Sequence, residues 1–148
     1  DLDKTLFERI ETIRVEAGRR MGLGDVTGKV IPKIGLLAAP CNGGSITSRY
    51  FVPQNLHPSH AVTGGICTAT CAVMNGTVAD GLSDVEKTPV EQITIEHPMG
   101  DLHVELSVDG HDPNMTFNYG GILRTARPIF KGHILVPHSV WDGNNDSI

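Results

Sequence analysis

The chain has 148 residues, with 12 Lys and Arg against 17 Asp and Glu, for a formal net charge of -5. That length holds one domain with a real core. The negative balance and the scattered Lys and Arg argue against nucleic acid as a partner. No run is long enough to span a membrane helically, and no signal peptide opens the chain. The chain starts at Asp1 and enters a helix-like run at once, which reads as a piece of something longer, separated by cloning or by proteolysis. Cys41, Cys67 and Cys71 form no even disulfide framework and read as reduced thiols of a cytoplasmic protein.

Leu2 to Arg20 reads as an amphipathic helix. Leu6, Ile10, Ile13 and Ala17 make its apolar stripe, and Glu11 and Arg14 are spaced for pairing on a solvated face. Gly22 and Gly24 end it. Val30 to Ala39 is a strand candidate with Pro32 at its start, and its run Leu36-Leu37-Ala38 predicts burial on both faces. Cys41-Asn42-Gly43-Gly44 is a turn, and Ser45 to Val52 a second strand, so Ala39 to Ser45 reads as a hairpin connection. Pro53 to Pro58 is a loop.

The stretch from His57 to Gly76 organises the rest. Between Thr63 and Met74 there is no charge at all. Val62, Ile66, Ala69 and Val73 recur at helical spacing, and the residues between them are small or apolar. A surface helix would carry a charged stripe, so this one is expected to be buried all round. Its start would present backbone N–H groups of Thr63, Gly64 and Gly65 at the positive end of the helix dipole, an anion site. Ser59 is a candidate cap.

Asn75-Gly76 stops this helix. Thr77 to Ala79 reads as short and extended, and Gly81 to Pro89 as a polar loop. Three strands follow: Gln92 to Glu96, Asp101 to Val108 and Asn114 to Tyr119. Their turns are His97-Pro98-Met99-Gly100 and Asp109-Gly110. In the middle strand Leu102, Val104, Leu106 and Val108 alternate with His103, Glu105 and Ser107, the period of a half-buried strand. Arg124 to Pro137 carries a turn and a strand around Ile134 to Val136, and the tail from His138 is peripheral. Strands joined by turns predict an α+β fold, an antiparallel sheet curled around one buried helix, and argue against a parallel βαβ sheet.

Several motifs carry a resemblance. HAVTGGICTA at His60 to Ala69, NGTVADGL at Asn75 to Leu82, RMGLGDV at Arg20 to Val26, HPMG at His97 and RTARP at Arg124 resemble the family of methylaconitate isomerases, aconitate delta-isomerases and 4-oxalomesaconate tautomerases. The motifs occur in order over nearly the whole chain and match the C-terminal half of such proteins. The resemblance implies a diaminopimelate-epimerase-like fold: two similar domains, each a barrel-like sheet around a central helix, with the active site between the two helix N-termini. Residues 1–137 would then be the C-terminal domain and 138–148 a peripheral tail. Two departures matter. The epimerases of that fold open this helix with a catalytic Cys in Cys-Gly-Thr, where this chain has Thr63-Gly64-Gly65. A Thr hydroxyl without an activating partner is a poor base, which disfavours racemisation by opposed thiols. The family's RTAR motif usually continues with Arg, and here Pro128 follows Arg127.

The expected site is therefore carboxylate-binding and not catalytic in itself. Thr63, Gly64 and Gly65 are its backbone donors, His60 and His57 flank the helix entry, and Arg49 lies on the preceding strand. Cys67 and Cys71 read as core, Arg124 and Arg127 as surface or interdomain residues, and His97 as a structural turn residue. The resemblance places the acid–base pair, a Lys and a Cys, in the missing N-terminal domain. It implies an allylic isomerase that shifts a proton between positions 1 and 3 of a small unsaturated di- or tricarboxylic acid. It needs no metal and no organic cofactor, and a homodimer is left open. The rivals are an epimerase or racemase of the same fold and a non-catalytic carboxylate-binding or interface domain.

Overall fold

The computed structural model describes residues 3–53, 55–85, 90–110 and 114–143. Two helices, α1 (Lys4–Arg20) and α2 (Val62–Val73), accompany six strands: β1 (Ile34–Ala38), β2 (Ile46–Val52), β3 (Asn55–Leu56), β4 (Val90–His97), β5 (Gly100–Asp109) and β6 (Thr116–Ile122). They form one curled sheet in the order β1-β2-β4-β5-β6, with β3 on β2.

The sheet is mixed, not antiparallel. β2 and β4 run parallel, pairing Ile46 with Ile95 and Thr47 with Glu96. Only a crossover can join parallel neighbours, and the chain between them holds α2. The hairpin signals predict β1-β2 and β4-β5-β6 correctly but say nothing about how the two groups meet, so the expectation against a βαβ unit fails at this one junction.

The core lies between α2 and one sheet face. Leu102, Val104, Leu106 and Val108 of β5 are buried, as their alternation predicts, and join Ile46, Ile93, Ile95, Ala69, Ala72, Val73 and Ala79. Side-chain alternation sends Ile46, Ser48 and Tyr50 of β2 to the α2 side. Thr47, Arg49 and Phe51 go to the other side, where Phe51 meets Phe7 of α1 edge-on at 5.6 Å.

α2 is not buried all round. Ala69 and Val73 are inaccessible, Ile66 and Thr70 are half-buried, and Val62, Thr63 and Cys67 stand exposed. The sheet covers one side of the helix and does not wrap it. An uncharged helix face signals that it meets something apolar or small; it does not say that the covering element lies within the same stretch of chain.

α1 is capped by Asp3, whose side chain accepts the Thr5 N–H at 2.9 Å; Leu2 lies outside the described residues. Its buried line is Ile10, Arg14 and Gly18, while Ile13 is exposed. Arg14 is not on a solvated face. It pairs bidentately with Glu11 at 2.7 Å and donates to the carbonyls of Val26, at 2.9 Å, and Ile31. A guanidinium has five donors, so burial is tolerable when they are occupied in this way. Gly18 has no alternative: a Cβ there would lie 2.5 Å from Val26.

β1 is an edge strand with largely exposed side chains, against the expectation of burial on both faces. Thr77 to Ala79 forms a turn rather than an extended segment. After β6 no regular element forms among residues 123–143, and Ile134 and Leu135 are exposed. The end of the polar loop at Glu86–Pro89 and the tail beyond Gly143 lie outside the described residues.

A carboxylate cradle braces the β1-β2 turn. Glu96 is buried on the sheet face opposite α2. Its oxygens accept the N–H groups of Cys41, Asn42 and Gly44 at 2.7–2.8 Å and the Thr47 hydroxyl at 2.6 Å. The Cys41 thiol donates as well, at 3.2 Å. The Thr47 hydroxyl above all, with the three backbone donors, holds the Glu96 carboxyl far below the usual carboxylate range. Gly44 lacks a side chain because a Cβ would come within 2.6 Å of Glu96. The CNGG sequence is thus a turn built to close around a carboxylate from another strand.

Candidate functional site

The start of α2 is uncapped. Its N-cap is Ala61, whose side chain can accept nothing, so Ser59 is not the cap, and no acidic residue sits in the first turn. Alanine is a poor N-cap because the orphan N–H groups keep no local acceptor. The Gly65 N–H already donates to the Ala61 carbonyl at 2.8 Å. The groups left without an intrahelical acceptor are therefore those of Val62, Thr63 and Gly64, a shift of one residue from the expected set.

Aromatic rings pack against this turn. His60 is buried, with Nε2 3.0 Å from Ser48 Oγ. Its ring lies against that of Tyr50, centroids 4.4 Å apart and tilted by 33°. His57 meets the same tyrosine edge-on at 6.2 Å. Of the two glycines of the TGG sequence, Gly64 lets the Tyr50 ring approach and Gly65 lets Leu102 approach. A Cβ on Gly64 would lie 2.6–2.7 Å from three atoms of Tyr50, and one on Gly65 would lie 2.7 Å from Leu102 and 3.9 Å from His60 Nδ1. Both glycines thus have a packing reason beside any binding role.

The histidines are held in defined states. His57 Nδ1 accepts the Ser59 N–H at 3.0 Å, and His97 Nδ1 accepts the Met99 N–H at 3.2 Å. Each neutral ring then carries its proton on Nε2, and that of His97 points to Ser59 Oγ at 3.2 Å. His97 of the β4-β5 turn thus secures the loop that leads into α2. Burial, first of all, lowers the pKa of His60; the Ala61 carbonyl opposes this, and His97 and His57 add to the lowering. His60 is therefore neutral at pH 7. Its Nδ1 is buried without a hydrogen-bond partner among the described residues.

The structure brings together Thr63, Gly64, Gly65, His60 and His57. Arg49 does not join them: it lies on the opposite face of β2, with a guanidinium N–H on the Ser48 carbonyl at 3.0 Å. Alternation along β2 decides this, because Ser48 and Tyr50 take the α2 side. Those two are the site residues the sequence reading missed. The same alternation, together with a helix returning over that face, is the signal that could have found them. Cys67 is exposed rather than core, and Cys71, one turn later, is half-buried. Burial first, and then Cys67, pushes the Cys71 thiol up. Among the described residues no three His, Cys, Asp or Glu side chains are grouped to hold a metal ion.

Among the described residues, two surface depressions lie away from the first turn of α2. One of about 480 Å³ is lined by Phe7, Glu8, Glu11, Thr12 and Pro53. The other, of about 300 Å³, is lined by residues of β4 and β5 with Leu123. Neither includes the start of α2.

Residues 1–137 match the family described as PrpF protein. The chain belongs to the PrpF protein family. Among its relatives are the 4-oxalomesaconate tautomerase of Pseudomonas putida, 36% identical over 143 residues, and the (4E)-oxalomesaconate Delta-isomerase of a Novosphingobium species, 35% identical over 136 residues. These alignments take in 97% and 92% of this chain but 38% and 37% of the relatives. The chain thus spans little more than a third of the length of the curated relatives it matches. A solved methylitaconate-delta-isomerase shares the fold, with a TM-score of 0.65 at 18% identity, over 82% of this chain and 37% of that one.

Proposed function

We propose that this chain is the carboxylate-binding part of an isomerase that moves a carbon–carbon double bond in a small unsaturated di- or tricarboxylic acid. The observation that carries this is the uncapped start of α2. The N–H groups of Val62, Thr63 and Gly64 lack intrahelical acceptors at an exposed helix end, with no carboxylate of the first turn beside them. That is the arrangement in which a helix terminus binds an anion. The names of the two tautomerase and isomerase relatives supply the substrate class.

In such a reaction a base removes an allylic proton beside a carboxylate, and an acid returns one two carbons away. Negative charge builds in a dienolate-like intermediate, and preorganised donors aimed at it lower the barrier. The donors of α2 would do this, with His60 and His57 shaping the mouth. Thr63 stands where opposed-thiol chemistry would need a cysteine; by the resemblance to the isomerases, the acid and the base would come from outside this chain, as would the cover for the open face of α2. Residues 1–137 then act as the C-terminal domain, with 138–148 peripheral, in a cytoplasmic enzyme that requires no metal or organic cofactor.

The test is an assay of double-bond migration in aconitate- and oxalomesaconate-type acids, by absorbance and proton NMR. The chain alone and a family-length protein containing it should be compared. Turnover by the longer protein and none by the chain supports the proposal. Turnover by the chain alone, or by neither on any such acid, contradicts it.

A further inference from the structure

Tyr50 offers a polar group with no hydrogen-bond partner among the described residues. Its side chain is 6% exposed, enclosed between the His60 ring and the backbone of Gly64. A buried tyrosine usually gives its hydroxyl a partner, and phenylalanine would supply the same packing without one. Yet Oη makes no hydrogen bond to any described residue. It lies beside the first turn of α2, 2.7 Å from where a Gly64 Cβ would stand. Rigid aromatic contacts thus hold a donor with no partner among the described residues beside the first turn of α2.

We propose that the Tyr50 hydroxyl donates a hydrogen bond to the carboxylate held at the start of α2, as a further substrate-binding residue of that site. The inference rests on the carboxylate-binding reading of this helix terminus. The chemistry is consistent on each side. A phenol is a donor at neutral pH, and burial, with Cys67 one turn along the helix, raises the Tyr50 pKa further and keeps it protonated. A carboxylate can accept several hydrogen bonds at once, so the hydroxyl adds to the backbone donors and does not compete with them. Because the ring is fixed by His60 and Gly64, little side-chain freedom is lost on binding.

The experiment is calorimetric titration of the chain at pH 7.5 with propane-1,2,3-tricarboxylate, a saturated tricarboxylate. Wild type and Tyr50→Phe are compared, the second keeping the ring and removing only the hydroxyl. Tyr50→Phe should bind about ten- to a hundredfold more weakly, the range for losing a hydrogen bond to a charged group. Equal affinities would overturn the role of Tyr50 while leaving the helix terminus as a binding site. No binding by wild type would overturn both. A second readout is independent of how well Tyr50→Phe folds. The chain has two tyrosines, so Tyr119→Phe leaves Tyr50 as the sole phenol to titrate by absorbance near 295 nm. Saturating tricarboxylate should move its ionisation upward by about one pH unit or more, the reciprocal of a tenfold coupling. An unmoved midpoint with the tricarboxylate bound contradicts the proposal.

Discussion

Gly64→Ala tests the packing on which the site depends. In an ordinary helix the change removes backbone freedom from the unfolded chain and stabilises by about 1 kcal/mol. Here the new methyl would stand 2.6 Å from Cε2, 2.6 Å from Cζ and 2.7 Å from Oη of Tyr50. Carbon atoms at rest lie about 3.5–4.0 Å apart, so the ring must retreat by about 1 Å. It cannot do so freely, because His60 lies against it at 4.4 Å and is itself tied to Ser48. Overpacking of this kind costs about 1–3 kcal/mol. The two effects oppose, and the net expectation is a destabilisation of about 0–2 kcal/mol, measured by urea unfolding. A double-mutant cycle isolates the contact. In a Tyr50→Ala background the clash is gone, and Gly64→Ala should recover its gain of about 1 kcal/mol. If Gly64→Ala stabilises the chain equally in both backgrounds, the ring is not wedged against the helix start and the description of the site is wrong.

His60, Arg14 and the two cysteines of α2 carry further expectations. The folded-state pKa of His60 lies below its ordinary 6.5, so the unfolded chain takes up the proton first. Stability is full above about pH 6.5 and falls as pH drops below it, with a slope of at most about 1.4 kcal/mol per pH unit from this group; His60→Gln should flatten that slope in urea titrations, and an unchanged slope would show that another group is responsible. Arg14→Leu should cost about 2–5 kcal/mol, because the carbonyls of Val26 and Ile31 and the Glu11 carboxylate lose their donor; a cost under about 0.5 kcal/mol would mean that water replaces the guanidinium. Aromatic disulfide reagents should label exposed Cys67 at least about tenfold faster than Cys71 at pH 8, since the thiolate is the reactive form, and mass spectrometry of time points would reveal the reverse order.

Much of this fold is legible in the sequence wherever one element's own pattern decides. The alternation of Leu102 to Val108 fixes which face of β5 is buried, and CNGG and HPMG fix two turns. What the pattern hides is long-range. The parallel contact of Ile46 with Ile95 depends on how two groups of strands meet, and no local signal encodes it. The burial of Arg14 depends on carbonyls 12 and 17 residues away, so local spacing to Glu11 suggests a surface pair instead. The site shows the same division. The small uncharged run marks the helix start, but locating Tyr50 and Ser48 beside it, and Arg49 away from it, requires knowing over which face of β2 the helix returns.

The central claim is that the start of α2 holds a carboxylate. Backbone amide NMR during titration with propane-1,2,3-tricarboxylate tests it most directly. The account predicts saturable shifts at the N–H groups of Val62, Thr63 and Gly64 with one common dissociation constant, and a smaller shift at Gly65, whose N–H is already bonded to Ala61. Saturable shifts confined to other parts of the chain, or none at these three amides at any concentration that shifts the rest, would contradict it.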